Sequence, residues 1–500
     1  MDENTQQQDL DQNQPSADNE SFYVPHRSAT LEGIVNTVEW LLIAFILALV
    51  FRAFGVEAFQ IPTGSMADTL KGSHYHLRCL RCGYAYNAGG DDTLFARPEC
   101  PSCGYAQPMN AVGKIQNGDR IFVLKSIYQF YAPKRWDVVV FKNPTNPQIN
   151  YIKRLTGLPG ETVQIIDGNL FIDNHIQRKP AQVQNELWMP IYDNDYQSFG
   201  KIGQFAANDV SNIPWRQPFE NTPDSRWNLN ADGSATFSLE DYRSSPHVLV
   251  YNSDVGNDFH SVYAYNGFSR QSQPVCDDLM MRFWVKNQGD GIIAVGFEKD
   301  GIQYVGSVRF GDSMVLSRRE SGETHDLAKI PIQLTPDNDR TRYFEFANVD
   351  YRLVLRFGTQ RLSIDLPVRK SEKQMPPKVE IQGSGKIRIS HIGLFRDTYY
   401  TSAANLRATA DNPFTLNAGE FFVCGDNSPN SSDARLWSVA GKDQMGRDVY
   451  REGVVPMDYM MGKAFMVYWS DAFSPMPNML PIIPNIDQLK VIYGGSEAVY

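Results

Sequence analysis

The sequence lacks any long run of lysine and arginine, and its formal net charge is −10. It therefore shows no electrostatic footprint for nucleic acid, and we expect no nucleic-acid partner. Hydrophobic residues make up 42% and charged residues 21% of the chain, as in ordinary globular proteins. A chain of 500 residues is too long for one ordinary domain, so two or three domains are expected.

Apolar side chains are also scarce in residues 1–30, which are rich in Gln, Asn, Asp and Ser. A segment of this composition cannot bury enough apolar surface to offset the entropy lost on ordering the chain. The composition therefore predicts a disordered tail over residues 1–30.

A strongly apolar segment follows, over residues 31–54, and its centre from Trp40 to Phe51 is uninterrupted. With its flanks it reaches about the 20 residues that a bilayer needs, and it predicts a transmembrane anchor. A cleavable signal peptide is the alternative, and residues 56–58 fit its cleavage site. The region before the segment is long and acidic, however, whereas that of a signal peptide is short and basic. Arg27 and Arg52 give almost no positive-inside bias, so charge does not determine the orientation.

A serine lies in a tight turn within the segment Phe59–Leu70, FQIPTGSMADTL. Pro62 makes the start of this turn rigid, and Gly64 permits an unusual backbone angle. Such a turn can present Ser65 with its backbone N–H free to face a developing oxyanion. A serine hydroxyl also needs a base before it can attack an amide.

A lysine lies in a strand-like run within Tyr151–Glu161, YIKRLTGLPGE. Strand periodicity places Lys153 on one face with Tyr151 and Leu155, and Arg154 on the other face. Desolvation beside apolar groups lowers the pKa of a lysine, and the neutral amine can then serve as the base for a serine. The alternative is a surface lysine whose stem lies along apolar neighbours.

Five segments in this order resemble the bacterial type I signal peptidases: the anchor, the serine segment, RWDVVVFKNP at 135–144, the lysine segment, and GDNSPNSSDARLW at 425–437. The resemblance implies an all-β catalytic core with one N-terminal transmembrane helix. It also implies a membrane-anchored serine endopeptidase with a Ser-Lys dyad, which cleaves signal peptides from secretory preproteins after small residues. Ser65 would be the nucleophile and Lys153 the base, while Thr63 and the Ser65 N–H would stabilise the oxyanion.

The last of these segments supplies the supporting residues that the resemblance implies. Ser431 would orient the lysine amine through its hydroxyl, while Asp433 and Arg435 would pair and hold the site together. Asp426 and Asn427 belong to a predicted turn just before them. The alternative for this segment is a polar loop with an incidental salt bridge.

Four apolar residues would form the substrate pocket if the resemblance holds: Phe59, Ile61, Pro62 and Ile152. Shallow pockets lined by these side chains would accept only small residues at the first and third positions before the cut. Ordinary core packing is the alternative for all four, and the sequence does not separate the two.

The sequence departs from the family's usual pattern at two places. Ala67 stands after Met66 where the family usually has proline, which changes the turn but removes no chemical group. Ser428 and Pro429 stand where the family often has Arg-Asp, so no salt bridge is expected from those positions. The resemblance alone places the protein in the bacterial inner membrane as a single-pass protein, with its catalytic domain outside the cytoplasm.

Two C-x-x-C pairs, CLRCG and CPSCG, lie in residues 78–106 with seventeen residues between the inner cysteines. Four thiolates at this spacing are typical of a zinc ribbon, and a complete set of four leaves no open position for catalysis. The candidate ligands of this structural zinc are Cys79, Cys82, Cys100 and Cys103. Two disulfides are the alternative, because an extracytoplasmic location permits them. No cofactor is expected for catalysis itself.

A second insertion, over residues 182–400, contains alternating apolar and polar residues typical of half-buried strands. Examples are Leu279 to Val285 and Tyr351 to Phe357, and Lys299-Asp300-Gly301 indicates a hairpin turn. Many strands and almost no helical pattern predict a β-sandwich. The stretch resembles, more weakly, the concanavalin-like or laminin-G jelly rolls, so a glycan or a protein is a candidate ligand.

The second hypothesis for the whole chain is a membrane-tethered β-sandwich binding or adhesion protein on a degenerate peptidase scaffold. Retention of both Ser65 and Lys153 argues against such degeneracy. The predicted segments are the tail (1–30), the anchor (31–54), the first core segment (55–77), the ribbon insertion (78–106), the second core segment (107–181), the sandwich insertion (182–400) and the third core segment with the C-terminal tail (401–500).

Overall fold

The computed structural model describes residues 29–50, 55–90, 97–108, 113–197, 215–229, 235–242, 245–266, 272–332, 340–369, 375–402, 406–443, 445–471 and 483–495. The tail predicted over residues 1–30 lies almost wholly outside the described residues, as do residues 51–54 of the predicted anchor. The chain divides into two compact units, residues 1–55 and residues 56–500.

Helix α1 (Ala29–Val50) is the helical element of the first unit. Its 22 residues correspond to about 33 Å at 1.5 Å per residue, close to the thickness of a bilayer core. Large apolar side chains are exposed along it, including Trp40 at 72% and Leu41 at 65%. The helix is thus long and apolar enough to cross a membrane, although a signal sequence would show the same length and composition.

The second unit consists mainly of antiparallel strands. Its opening stretch contains β1 (Val56–Gln60), β2 (His74–Arg78), β3 (Ala85–Gly89), β4 (Ile115–Gln116), β5 (Arg120–Leu124), α2 (Ile127–Phe130), β6 (Val138–Asn143), β7 (Asn146–Gly157), β8 (Thr162–Ile166), β9 (Asn169–Ile172), β10 (His175–Ile176) and α3 (Ala181–Leu187). The middle stretch contains β11 (Met189–Asp193), β12 (Phe219–Asn221), β13 (Thr236–Asp241), β14 (His247–Tyr251), β15 (Leu279–Lys299), β16 (Ile302–Arg309), β17 (Ser313–Glu320), β18 (Glu323–Pro331), β19 (Arg342–Val349), β20 (Arg352–Phe357), β21 (Gln360–Asp365) and β22 (Lys378–Arg396). The last stretch contains β23 (Phe414–Thr415), β24 (Glu420–Cys424), β25 (Gly441–Lys442), β26 (Asp448–Tyr450), β27 (Val455–Pro456), β28 (Met460–Trp469) and β29 (Lys490–Val491).

The core sheet has the strand order β1-β5-β28-β6-β7-β24-β27, with β29 beside β28. Alternate residues of β6 point into two different apolar clusters, Val138 and Val140 into one and Val139 and Phe141 into the other. Both faces of the sheet are therefore covered around β6 and β7. A smaller sheet, β10-β9-β8-β23, completes the core, and its β8–β9 hairpin turns at Asp167 and Gly168, with φ angles of 49° and 81°.

The cysteine insertion forms its own three-stranded sheet in the order β3-β2-β4. This sheet begins at His74 and ends at Gln116, so it extends beyond both predicted limits of 78 and 106. The predicted limits coincide instead with the two cysteine pairs and the chain between them. The remaining segment boundaries stay a proposal.

The predicted sandwich is built on two long strands, β15 of 21 residues and β22 of 19 residues, which pair along most of their length. The first half of β15 also pairs with β19 and its second half with β16, so one strand contributes to two layers. Most positions of the two predicted alternating stretches are confirmed as buried: Leu279, Met281, Phe283, Val285, Leu353, Leu355 and Phe357. The strand prediction is wrong for Tyr351, because it lies in the turn before β20 with a φ of 53°.

The two ends of the sandwich lie side by side. Its first strand, β11, pairs with the end of its last strand, β22, and Met189 lies opposite Arg396. The hairpin between β15 and β16 also turns where predicted, at Asp300 and Gly301, with φ angles of 52° and 76°. An insertion closed in this way leaves and re-enters the core at nearly the same place.

Candidate active site

The serine turn is a short 3-10 segment, Gly64–Met66, that follows β1 and is buried throughout. Gly64 is required by packing, because a Cβ on it would lie 2.1 Å from the ring of Tyr265. The Ser65 side chain is 8% exposed, and no described residue accepts a hydrogen bond from the Ser65 N–H. The turn therefore leaves both the hydroxyl and the amide of Ser65 available at one place.

Lys153 lies in β7, opposite Val139 of β6, and its Nζ is 2.7 Å from Ser65 Oγ. The amine also donates to the Ile152 carbonyl at 2.9 Å and lies 5.1 Å from the centre of the Tyr151 ring. Lys153 is only 4% exposed. The structure thus brings together the two residues that the sequence predicts as nucleophile and base.

Burial lowers the pKa of the Lys153 amine from 10.5 to about 8, because the charged form is poorly solvated there. The carboxylates of Asp433 and Asp426 act in the opposite direction and raise this pKa, while the Arg435 guanidinium lowers it. The desolvation effect is the largest of these. A substantial fraction of the amine is therefore neutral at mildly alkaline pH, as a base for serine requires.

Asp433 and Arg435 form a bidentate ion pair with N–O distances of 2.7 and 2.8 Å, and both side chains are almost fully buried. Arg435 also donates to Ser428 Oγ at 2.6 Å and to the Thr401 carbonyl at 2.9 Å. Ser428 stands where the family often has a charged residue, and it forms a hydrogen bond with the buried guanidinium instead of a salt bridge. The pair in turn fixes the loop, because Asp433 accepts from the Gly425 N–H at 2.9 Å.

A second buried ion pair joins Asp426 to Arg154, with two N–O distances of 2.7 Å. Arg154 is fully buried and also donates to the Trp136 carbonyl at 3.0 Å. Strand periodicity places Arg154 on the face of β7 opposite Lys153 but assigns it no role. Its partner lies 272 positions away, and no local pattern marks such a contact.

The loop after β24 holds the serine turn through its backbone and one amide side chain. The Asn427 N–H donates to the Ser65 carbonyl at 3.1 Å, and Asn427 Nδ2 donates to the Gly64 carbonyl at 2.9 Å. A Cβ on Gly425 would lie 2.4 Å from the Ser65 carbonyl oxygen, so only glycine fits there. Asn427 thus links the last segment directly to the serine turn.

Ser431 is buried beside this loop, but its hydroxyl does not reach the lysine. Its Oγ makes no well-formed hydrogen bond to any described residue, although it approaches Asp433 closely enough to help lower the pKa of that carboxyl. The predicted contact from Ser431 to the Lys153 amine is therefore not formed in this structure. The Ile152 carbonyl, which no sequence pattern suggests, contacts the amine instead.

Thr63 comes just before the serine turn and is exposed. Its hydroxyl does not cap the 3-10 segment, and its backbone is extended, with φ −118° and ψ 159°. Thr63 therefore keeps its hydroxyl uncommitted to the turn, two residues before Ser65.

Three of the four predicted pocket residues lie in one apolar cluster. Ile61 is buried there beside Met66 of the serine turn, while Phe59 and Ile152 pack against the cluster and stay partly exposed. Pro62 is exposed. An apolar surface thus lies next to Ser65, as contact with small apolar side chains requires.

The four cysteines of the ribbon converge on one point. Sγ of Cys79 lies 3.6 Å from Sγ of Cys103, and Sγ of Cys82 lies 3.7 Å from Sγ of Cys100. The edge of a tetrahedron with metal–sulfur bonds of about 2.3 Å is about 3.8 Å, so the spacing fits a tetrahedral metal ion. All four are buried and none is in a disulfide. The cluster can bind a metal, and the structure disfavours the alternative of two disulfides.

Parts of the chain are similar to known peptidases. A family profile described as "Signal peptidase, peptidase S26" matches residues 106–214 and 364–469. The two matched ranges contain Lys153 and residues 425–437, and together they span less than half of the chain. Signal peptidase I of Pseudomonas fluorescens is 36% identical over 25% of this chain and 34% of that protein, and signal peptidase I of Pseudomonas aeruginosa is 29% identical over 42% and 59%. The matches thus span between about a third and three fifths of these relatives.

Part of the chain is also similar to solved structures. A carbohydrate binding module of Bacillus subtilis, CBM66, shares 8% identity, with 36% of this chain and 96% of that chain covered and a TM-score of 0.24. A likeness of this size carries no argument about the function of the sandwich.

Three residues that contact the serine turn or the loop after β24 come from the sandwich insertion, and no sequence pattern marks them. Tyr265 covers Gly64, Asn266 contacts Asn427, and Tyr263 donates its hydroxyl to the Asp426 carbonyl at 3.0 Å. They lie in a stretch between strands with no recognisable motif. Only a three-dimensional structure reveals that this stretch reaches the serine turn.

Proposed function

We propose that the protein is a membrane-anchored serine endopeptidase that removes signal peptides from secretory preproteins. The observation that carries the proposal is the buried contact of 2.7 Å between Lys153 Nζ and Ser65 Oγ. It is supported by the match of two ranges of the chain to the S26 profile and by an apolar helix long enough to span a bilayer. The resemblance implies that the anchor would lie in the bacterial inner membrane with the peptidase outside the cytoplasm.

In the proposed first step, Ser65 Oγ attacks the carbonyl carbon of the scissile peptide bond. The neutral Lys153 amine removes the hydroxyl proton, and the Ile152 carbonyl orients the amine by accepting one of its hydrogens at 2.9 Å. Collapse of the tetrahedral intermediate breaks the C–N bond, and Lys153 passes the proton to the leaving amine. The product is an ester between Ser65 and the signal peptide.

The negative oxygen of the intermediate needs hydrogen-bond donors that are already in place. The Ser65 N–H has no described acceptor, and the Thr63 hydroxyl is not used as a cap, so both are available for this purpose. Water then attacks the ester, with Lys153 again removing a proton. The same two donors would serve in both halves of the reaction.

The apolar surface beside Ser65 would select the residues before the cut. Phe59 and Ile152 are only partly buried and can contact a substrate side chain, while Ile61 supports them from below. A surface of this kind favours small apolar side chains at the first and third positions before the cut. We therefore propose cleavage after Ala-x-Ala-like sites.

The direct test is cleavage of a preprotein with an Ala-x-Ala site by the detergent-solubilised full-length protein. Mass spectrometry of the products is expected to show a single cut after the final alanine. The Ser65→Ala variant is expected to show no cut, because it lacks the attacking oxygen but keeps the fold. If neither protein cuts, although both are folded, the chain is a membrane-tethered binding protein instead. Cleavage by both would exclude Ser65 as the nucleophile.

We further propose that the metal of the ribbon is zinc, held by the thiolates of Cys79, Cys82, Cys100 and Cys103. Zinc prefers four thiolates in a tetrahedron, and four protein ligands leave no position for a substrate or water. Its role would be structural, because the ion would hold the two cysteine pairs of the ribbon together. No catalytic step depends on it.

Elemental analysis of the purified protein is expected to find about one zinc ion per chain. Cys100→Ser is expected to lose most of this zinc and to lower the thermal stability, because one ligand of four is replaced. Cys276→Ser is the matched control, since Cys276 is also buried and free but lies outside the cluster. Equal zinc contents in the two variants would contradict the assignment of these ligands.

A further inference from the structure

Residues 261–266 lie within the sandwich insertion, in a stretch between β14 and β15, yet Tyr265 packs on Gly64 of the serine turn and Asn266 contacts Asn427 beside it. We infer that this segment, here called the brace, positions the nucleophile, and that Asn266 is its principal positioning residue. The inference rests on the proposed function for its catalytic meaning. It assigns to the inserted domain a role inside the active site of the core.

The first contact of the brace is made by an aromatic ring. Tyr265 is fully buried and packs on Gly64, so closely that a Cβ at Gly64 would lie 2.1 Å from its ring. Its hydroxyl donates to the Ser73 carbonyl at 2.6 Å. The ring therefore holds the backbone just before Ser65 against the chain that follows the serine segment.

The second contact is a reciprocal pair of amides. Asn266 Nδ2 donates to Asn427 Oδ1 at 2.7 Å, and Asn427 Nδ2 donates to Asn266 Oδ1 at 2.8 Å. Asn427 Nδ2 also donates to the Gly64 carbonyl at 2.9 Å. Because Asn427 is fully buried, Asn266 fixes the orientation of the amide that holds the serine turn.

The third contact joins the brace to the buried charges. The Tyr263 hydroxyl donates to the Asp426 carbonyl at 3.0 Å, next to the residue that carries the amide pair. The backbone of the brace is itself held by the ribbon, because the Gly89 N–H of β3 donates to the Tyr265 carbonyl at 3.0 Å. Thus the brace touches the serine turn, the last segment and the ribbon together.

Loss of the amide pair would leave two buried polar groups of Asn427 without their partner. The Asn427 amide would then be free to rotate away from the Gly64 carbonyl, and the serine turn would shift or become mobile. A misplacement of about 1 Å at a reacting group lowers the rate by up to about 100-fold. Substrate contacts made by Phe59 and Ile152 would change little, so the effect would fall on kcat.

The test compares Asn266→Ala with Asn287→Ala in the full-length protein. Asn287 is also a buried asparagine of the sandwich, but its Nδ2 donates to the Gly289 carbonyl, away from the brace. We expect kcat for preprotein cleavage to fall by about 10- to 100-fold in Asn266→Ala with KM nearly unchanged. The Asn287→Ala variant is expected to keep kcat within about twofold of the parent, because it leaves the serine turn in place. Equal kcat values in the two variants would overturn the inference.

A second measurement does not depend on activity. Hydrogen exchange measured by mass spectrometry is expected to be faster in residues 63–67 of Asn266→Ala than in the parent, and unchanged in Asn287→Ala. If the parent does not cleave preproteins, the proposed function fails, while the exchange result still decides whether the brace holds the turn. Unchanged exchange in residues 63–67 would overturn the inference.

A milder variant covers the case in which Asn266→Ala does not fold. Tyr265→Phe keeps the ring over Gly64 and removes only the hydroxyl that donates to Ser73. We expect a several-fold lower kcat and faster exchange in residues 63–67. A variant with the parent's kcat and exchange would contradict the role of the brace.

Discussion

Replacement of Lys153 by arginine is expected to lower kcat/KM for preprotein cleavage by about 10²- to 10⁴-fold, the usual contribution of a general base. Arginine keeps the positive charge but does not give up its proton in proteins, so it cannot accept one from Ser65 Oγ. Lys142→Arg, in the neighbouring strand β6, is the matched control and is expected to keep the parent's activity. Initial rates with a fluorogenic peptide that contains an Ala-x-Ala site would measure both.

The pH profile of the parent provides the companion measurement. Only the neutral amine accepts a proton, and burial lowers the pKa of Lys153 to about 8. The neutral fraction falls as pH falls through this value, so kcat/KM is expected to drop about tenfold per pH unit below about pH 8 and to level off above it. A flat profile from about pH 5 to about pH 9, together with an active Lys153→Arg variant, would exclude the lysine as the base.

The Asp433→Asn variant is expected to lose about 3–5 kcal/mol of unfolding free energy, because it leaves the buried Arg435 guanidinium without its countercharge. The asparagine amide has nearly the shape of the carboxylate, so the lost unfolding free energy comes from charge and hydrogen bonding more than from a change in side-chain volume. Urea denaturation followed by circular dichroism would measure it. Cleavage is also expected to fall, since the pair holds the loop of Gly425 and Asn427.

Asp448→Asn is the control for this stability measurement. Asp448 forms an ion pair with Lys442 at 2.9 Å, but its side chain is 62% exposed. Water screens such a pair, and its loss is expected to cost about 0–1 kcal/mol. If the two variants lost the same unfolding free energy, the burial of the Asp433–Arg435 pair would add nothing to its contribution to stability.

The features of the site that the sequence predicts are those set by a few neighbouring residues. The turn around Ser65 follows from Pro62 and Gly64, and the strand around Lys153 follows from a period of two. The same period predicts the buried positions of β15 and β20 in the sandwich. Such patterns act over a few residues, where the backbone geometry leaves little choice.

The other features depend on contacts between distant segments. Arg154 and Asp426 are 272 positions apart, and Asn266 and Asn427 are 161 positions apart. The sequence around each of these residues, taken alone, is that of an ordinary polar loop or strand edge. The role expected for Ser431 also depends on a contact between distant segments. It was inferred from the resemblance, and no local pattern around Ser431 determines whether its hydroxyl reaches Lys153.

Tyr351 shows the limit of periodicity as a guide to strands. The alternating pattern of apolar residues continues from β20 back into the preceding turn, where Tyr351 has a φ of 53°. A period of two therefore identifies the faces of a strand but not the residue at which the strand begins.

Gly64 and Asn427 are joined by an amide contact but are separated by 363 positions, so the ribosome makes Gly64 long before Asn427. At about 5–20 residues per second, a ribosome needs roughly 20–70 s to make the intervening chain. During that time Ser65 exists without the loop that fixes its backbone. Under the proposed function, a nascent chain would therefore be unable to cut its own or a neighbouring polypeptide until the loop of Asn427 has been made, and no inhibitor would be needed to delay proteolysis.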